Sequence, residues 1–178
     1  MKRSAVLAAF SLVCGALGVC VLLALVLPVV SAYLLGLSLV SVFALIASAF
    51  LIEYGAVPIG ISLGLPSLYV LCAVTCIEAG IFLGIYGIID AFGQTSRRVA
   101  GFLEKIKTIS GRSKMFERYG IFGLFPCEIL LGVYICAPVS RLLGWQKGRS
   151  FAITMAGYCV AATMTTLATL GLIRVFFT

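Results

Sequence analysis

Residues 50–66 read FLIEYGAVPIGISLGLP. A single carboxyl, Glu53, stands among apolar residues, and Gly55, Pro58, Gly60, Gly64 and Pro66 follow close behind it. Glycine and proline at that density break a helix. Broken backbone at membrane depth survives only where protein or a water-filled cavity covers it, and an acid there faces such a cavity. The stretch therefore predicts a chain that turns back on itself inside an apolar solvent.

The flanks identify that solvent. The 178 residues are 62% hydrophobic and 11% charged, with a mean hydropathy of +1.21, well outside the composition of soluble domains. Residues 5–52 and 54–77 carry no charge, where a spanning helix needs about 20 apolar residues. The fold class expected is an all-α polytopic membrane protein, with residues 1–178 as a single membrane domain. As one helix, residues 5–52 would be about 72 Å long against a hydrocarbon core of about 30 Å. The chain must turn before Glu53. Lys2 and Arg3 ahead of an apolar run, with VSA at 30–32, imitate a signal peptide, but the run is too long for one.

The seven cysteines all lie in apolar segments, and their number is odd. They are expected to be small packing residues, without disulfides or a metal. The chain has no histidine, which removes the commonest general base and the usual triads. No enzyme, cofactor or nucleic-acid partner is expected.

Charge then sets the layout. Lys2, Arg3, Arg97, Arg98, Lys105, Lys107, Arg112, Lys114, Arg118, Lys147 and Arg149 belong on the cytoplasmic side by the positive-inside bias. This predicts a multi-pass protein of the cell membrane with its N-terminus in the cytoplasm. Keeping Lys147 with the other basic residues requires residues 119–145 to enter and return, and Gly120, Gly123, Pro126, Gly132, Pro138 and Gly144 supply the breaks. By the same logic residues 37–66 dip in from the exterior. The expected units are an N-terminal helix (1–36) that Pro28 kinks or ends early, an outer hairpin plus helix (37–92), a basic linker (93–118) and an inner hairpin plus helix (119–178). In the linker Val99, Phe102, Leu103, Ile106 and Ile109 recur at helical spacing among Arg98, Lys105 and Lys107. That reads as an amphipathic surface helix capped by Ser96, with a solvated linker as the alternative. Two re-entrant hairpins, each followed by a transmembrane helix and entering from opposite faces, make an inverted repeat of the kind transporters use.

Glu53 and Glu128 fall near the middles of the two hairpins, and Glu78 halfway along the helix after the first. A carboxyl in the membrane is costly and marks a pathway, so these three are the expected proton-carrying residues. The alternative is that each caps amides of a broken helix. Asp90 reads as an interfacial charge. Arg141 is the basic residue inside a hairpin. It would pair with Glu53 or Glu128 or hold an anionic headgroup, or else extend to the interface, as its closeness to Lys147 favours. With Gly55, Pro58, Gly132 and Pro138 it forms the expected substrate-binding set. The run TMTTLAT at 163–169 either lines a pathway or bonds back to its own helix.

EYGAVPIGISLGLP, beginning at Glu53, resembles the Glu…Gly-Ala-x-Pro-x-Gly signature of the small multidrug export proteins, a branch of the DedA superfamily. ERYGIFGL at 117–124 and LLGWQKGRSF at 142–151 resemble the second half of that family. The resemblance covers residues 53–169. It implies inverted re-entrant hairpins and the movement of a lipid, a lipid-linked carrier or a drug-like cation, often coupled to protons. It carries Glu53 and Pro58 onto the acid and proline of the first hairpin, and Gly132 onto a glycine of the second. The expected function is a proton-linked transporter or flippase whose partners are membrane lipids, protons and an amphipathic substrate, with a homo-oligomer left open. Alternatives are a passive lipid scramblase, a small cationic drug exporter and a structural membrane-assembly protein without transport.

Overall fold

The computed structural model describes residues 2–95 and 119–177, and every regular element among them is helical. Helix α1 (Lys2–Val21) passes through a π-turn (Leu22–Val26) into α2 (Leu27–Leu34). Pro28 does not end this helix. It lacks an amide, and its ring presses on the carbonyl four residues back. The π-turn widens the backbone just before it, with the Leu27 amide donating to the Leu22 carbonyl. The chain stays helical to Leu34.

α2 closes in a Schellman turn. The Leu37 amide reaches back to the Ala32 carbonyl at 2.9 Å and the Gly36 amide to Tyr33 at 3.2 Å. The same pair of bonds recurs after α4 (Ala56–Ser62), from Leu65 to Gly60 and from Gly64 to Ile61, and after α7 (Val133–Leu142), from Trp145 to Ser140 and from Gly144 to Arg141. Gly64 and Gly144 stand at φ +80° and +74°, the left-handed conformation this cap needs. Each turn delivers the chain into the next helix.

Helix α3 (Leu39–Ile52) starts at Ser38, whose hydroxyl accepts the Ser41 amide. After a 3₁₀ turn (Glu53–Gly55), α4 folds back along α3. A Cβ on Gly60 would stand 2.8 Å from Leu45 Cδ1, a contact that a straight helix would place about 22 Å apart. A second hairpin pairs α6 (Leu124–Leu131) with α7 across Gly132. There the Cys136 thiol meets the Leu124 carbonyl at 3.9 Å, and Ile121 and Trp145, near its two ends, pack on one cluster with Cys127.

Helix α5 (Ser67–Thr95) runs beside both hairpins, and α8 (Lys147–Phe177) completes the bundle. The linker expected from residue 93 therefore begins later, since α5 continues through Thr95. The surface helix expected at 99–109 and its Ser96 cap lie outside the described residues. Leu37 and Pro66 line one cavity at the start of α5. At its other end Asp90 pairs with Arg141, and the Tyr86 hydroxyl donates to the Trp145 carbonyl at 3.1 Å. The first hairpin thus opens at one end of α5 and the second at the other. Their tips meet between.

Among the described residues four stretches are long and apolar enough to cross a membrane: Phe10–Leu34, Leu39–Ser62, Ser67–Ala91 and Lys147–Gly171. The second is doubled back at Glu53, so its longer limb reaches about 21 Å, short of the roughly 30 Å hydrocarbon core. Large apolar side chains face outward, Val40 and Leu51 at 81% and Leu130 at 77% exposure. Those surfaces suit lipid. Inside, Val42, Leu45, Val57, Val70, Val74, Ile77, Phe82 and Tyr158 are fully buried.

α1 lies antiparallel on α5 because the facing residues are small. A Cβ on Gly80 would stand 3.1 Å from the Cys20 carbonyl and 3.2 Å from the Ala24 amide, and one on Gly87 would stand 2.6 Å from Ala16 Cβ. Such stripes let helix backbones approach closely in lipid, where packing replaces the hydrophobic drive. Gly80→Leu is expected to lift α1 off α5 and lower stability by about 3 kcal/mol. Gly15→Leu, at a position with open space around it, should be neutral. Thermal unfolding of the two variants in detergent makes the comparison, and equal melting temperatures would remove the packing argument.

Candidate functional site

Glu53 itself is the break in the first hairpin. Its backbone lies at φ +46°, ψ −107°, a sparsely populated conformation that costs of order 1–3 kcal/mol for a residue with a side chain. Gly55, expected to break the helix, instead follows in the 3₁₀ turn, where its missing Cβ makes room for Ile52. Pro58 sits in the first turn of α4, where its lost amide needs no partner.

What holds Glu53 in place is the other hairpin. Its carboxylate lies against Gly132, with the backbone of Val133 and Tyr134, the first residues of α7, facing it. Gly132 is the tip residue there, at φ +75°, ψ 177°. A Cβ on Gly132 would fall on the Glu53 carboxylate itself. Glycine admits both the backbone conformation and the carboxylate. Glu53 is thus a helix cap supplied in trans, an anion on the positive end of α7.

Two tyrosines complete the brace. The Tyr134 hydroxyl donates to the Phe50 carbonyl at the end of α3, at 2.7 Å. The Tyr54 hydroxyl donates to the Glu128 carbonyl at the end of α6, and lies 3.4 Å from Glu128 Oε1. The Phe50 carbonyl is one that the break at Glu53 leaves open, whereas the Glu128 carbonyl also accepts the Gly132 amide at 2.9 Å.

Glu128 is not at its tip, as its position midway along the hairpin suggested. It sits one helical turn before Gly132, fully buried, because Gly132 alone suits the turn. Gly157 of α8 makes room for it. A Cβ there would stand 2.9 Å from the Phe125 carbonyl and 3.1 Å from Glu128 Cβ. Glu78, midway along α5, is also fully buried and lies within electrostatic range of Glu53 and Glu128. Among the described residues neither Glu78 carboxyl oxygen, nor Glu128 Oε2, has a hydrogen-bond partner. Among the described residues no lysine or arginine forms an ion pair with any of the three acids.

Arg141 stands apart from them. It lies in the last turn of α7 and donates to Asp90 Oδ1 from Nε at 2.8 Å and from Nη2 at 2.5 Å. Asp90 is accordingly a structural partner that ties α5 to the second hairpin. Pro138 lies inside α7 and removes the amide that would bond to the Tyr134 carbonyl. The threonine run bonds back to its own helix: Thr163, Thr165, Thr166 and Thr169 each donate to the carbonyl four residues earlier, at 2.6–2.9 Å. All seven cysteines are free thiols, and among the described residues no three histidine, cysteine or acidic side chains converge as a metal site.

Between the tips lies a cavity of about 270 Å³, lined by Ile52, Glu53, Tyr54, Leu131, Gly132 and Tyr134. Ile52 and Leu131 at its rim are half exposed, at 52% and 54%. It therefore opens sideways through an apolar surface onto a half-buried carboxylate. A larger cavity, about 470 Å³, lies between α2 and α5 and has no acid in its lining. Its hydroxyls, Ser31 and Tyr69, are bonded to backbone carbonyls of Leu27 and Pro28, which leaves little to orient a polar ligand.

Tyr54, Tyr134 and Tyr158 are the site residues that sequence reasoning missed. Tyr54 adjoins Glu53 in the sequence, and Tyr158, whose ring lies 5.3 Å from that of Tyr54, is a polar-tipped residue inside an apolar helix. Those were the available signals. Compared with protein-family models, with curated proteins and with solved structures, the chain matches none.

Proposed function

We propose that this protein is a proton-linked membrane transporter or flippase of the DedA-like type, with two re-entrant hairpins arranged as an inverted repeat about a midplane site. The observation that carries the reading is the contact of Glu53 with the start of α7. One anionic side chain joins the two hairpins, at the rim of a cavity that opens onto an apolar face. Protonating Glu53 weakens a charge-assisted cap, and weakening the cap frees the tips. An amphipathic substrate would reach the cavity from the bilayer, its apolar part against Leu51 and Leu130 and its polar part at Glu53. Glu78 and Glu128, buried behind the tips, would take up or release the protons that accompany each cycle. Among the substrate classes, a cationic or hydrogen-bond-donating headgroup suits Glu53 better than an anionic one. Arg141, engaged with Asp90, is a hinge partner of the second hairpin in this scheme.

One observation favours the competing reading of a structural membrane protein. Glu53 is satisfied as a cap, which by itself needs no transport. Vesicles containing the pure protein separate the two. A fluorescent phospholipid analogue and a drug-like cation are offered in turn, with and without a pH gradient. Movement that rises with the gradient is expected. Movement of the lipid analogue at one rate regardless of gradient means a passive scramblase, and no movement of either probe leaves the structural reading.

A further inference from the structure

The last helix, α8, carries hydroxyls of two kinds. In its second half the threonines at 163, 165, 166 and 169 are bonded to their own backbone. In its first half Ser150, Thr154 and Tyr158 are fully buried, and none of their hydroxyls has a hydrogen-bond partner among the described residues. A spacing of four places these three on one face of the helix, about 6 Å apart along the axis.

The row has two ends of different character. It starts one turn from Lys147, whose ammonium lies 5.8 Å from the centre of the Tyr86 ring, at the end of the bundle where Asp90 and Arg141 pair. It finishes at Tyr158, which stacks near Tyr54 and lies within electrostatic range of Glu78, Glu53 and Glu128. There Glu78 Oε1, Glu78 Oε2 and Glu128 Oε2 are themselves buried without partners. Among the described residues, the buried side-chain oxygens that lack partners thus follow one course, from a charged end of the molecule to the acids at its centre.

Buried oxygens are rarely left unpaired, and water is the usual partner when protein supplies none. Backbone positions four apart stand about 6 Å from one another along the axis, and the hydroxyls they carry make no direct hydrogen bond, so water would supply the links. We propose that Ser150, Thr154 and Tyr158 line a water-threaded path by which protons pass between the Lys147 end of the bundle and the carboxyls of Glu78 and Glu128. A proton arriving from bulk water is handed along hydrogen-bonded waters to a carboxylate oxygen, giving the neutral acid, and leaves by the reverse course. No other bond changes. Lys147, Arg149 and the Arg141–Asp90 pair are the charged groups near the outer end, and Glu53, Glu78 and Glu128 those near the inner one. The path rests on the proton-linked reading, yet its test needs no substrate.

The test is hydrogen–deuterium exchange of buried carboxyl groups, followed by infrared spectroscopy on the full chain in liposomes after a switch to D₂O. The protonated carboxyl band is assigned by its loss in Glu78→Gln or Glu128→Gln. Thr154→Val keeps the shape and removes one hydroxyl from the row. It is expected to slow exchange about tenfold, within the range for losing one buried hydrogen-bonding site. Thr163→Val, outside the row, should leave the rate unchanged. If Thr154→Val does not fold, Ser150→Ala removes the first hydroxyl without added bulk and carries the same expectation. Exchange at the wild-type rate in the folded variant overturns the path, as does the absence of any carboxyl band assignable to Glu78 or Glu128. Failure of gradient-driven transport with slowed exchange in Thr154→Val would instead overturn only the transport reading.

Discussion

Alanine at position 132 is expected to drive the hairpin tips apart and to lower stability by on the order of 3 kcal/mol. Two effects combine. The backbone at φ +75°, ψ 177° belongs to a region that residues with a side chain hardly enter. The new methyl group also falls on the Glu53 carboxylate, so the backbone of Val133 and Tyr134 loses the carboxylate that faces it in a place with little water to replace it. Gly120→Ala is a positive-φ control without a steric clash, since Gly120 stands at φ +53° with open space around it. Thermal unfolding in detergent should show a clearly larger loss for Gly132→Ala than for Gly120→Ala. The second effect has its own signature. Removing the carboxylate by Glu53→Ala should matter far less in the Gly132→Ala background than in the wild type, because the contact is already lost. Equal losses at positions 132 and 120, with additive behaviour at 53 and 132, would mean that the tips are not joined through Glu53.

That contact also marks how far the sequence could be read. Hydropathy and the positions of Ser38, Pro66 and Gly144 locate the helices and both turns, because capping and turn chemistry act over a few residues. Glu53 stood out for the same local reason, an acid in an apolar run. Glu53 lies at the tip as expected, but it, and not Gly55, makes the break. Glycine and proline are the visible breakers, whereas a glutamate at positive φ is imposed by what its side chain touches, and Val133 and Tyr134 are some eighty residues away. Glu128 and Gly132 exchanged places likewise: the acid is conspicuous, but only the glycine can occupy the tip. The pairing of Arg141 with Asp90 bridges two elements that no periodicity relates. On α8 the conspicuous TMTTLAT run proved to be bonded to its own backbone, and the isolated Ser150 and Thr154 hold the unpaired hydroxyls. An all-helical chain with long apolar segments, by contrast, was legible from composition, and among the described residues four helical stretches are long and apolar enough to cross a membrane.

Glutamine at position 53 or 128 is expected to leave the fold intact and to abolish transport driven by a pH gradient, down to the rate of protein-free vesicles. The amide matches the carboxyl in size. At 53 its carbonyl oxygen can still accept from the start of α7, and at 128 the backbone carbonyl that receives the Tyr54 hydroxyl is untouched. What glutamine cannot do is change its charge. If release of the cap on α7 is the step that protons control, a permanently neutral residue at 53 holds the tips in one weakened state and uncouples their separation from pH. At 128 the same change removes a proton acceptor from the buried cluster. A structural reading makes the opposite forecast. There the cap needs only an acceptor, so Glu53→Gln behaves as wild type wherever Glu53→Ala fails. The pair of variants at position 53 therefore decides between cap and coupled gate: activity and pH dependence retained in Glu53→Gln, with loss confined to Glu53→Ala, would reduce Glu53 to a hydrogen-bond acceptor and end the proton-linked proposal.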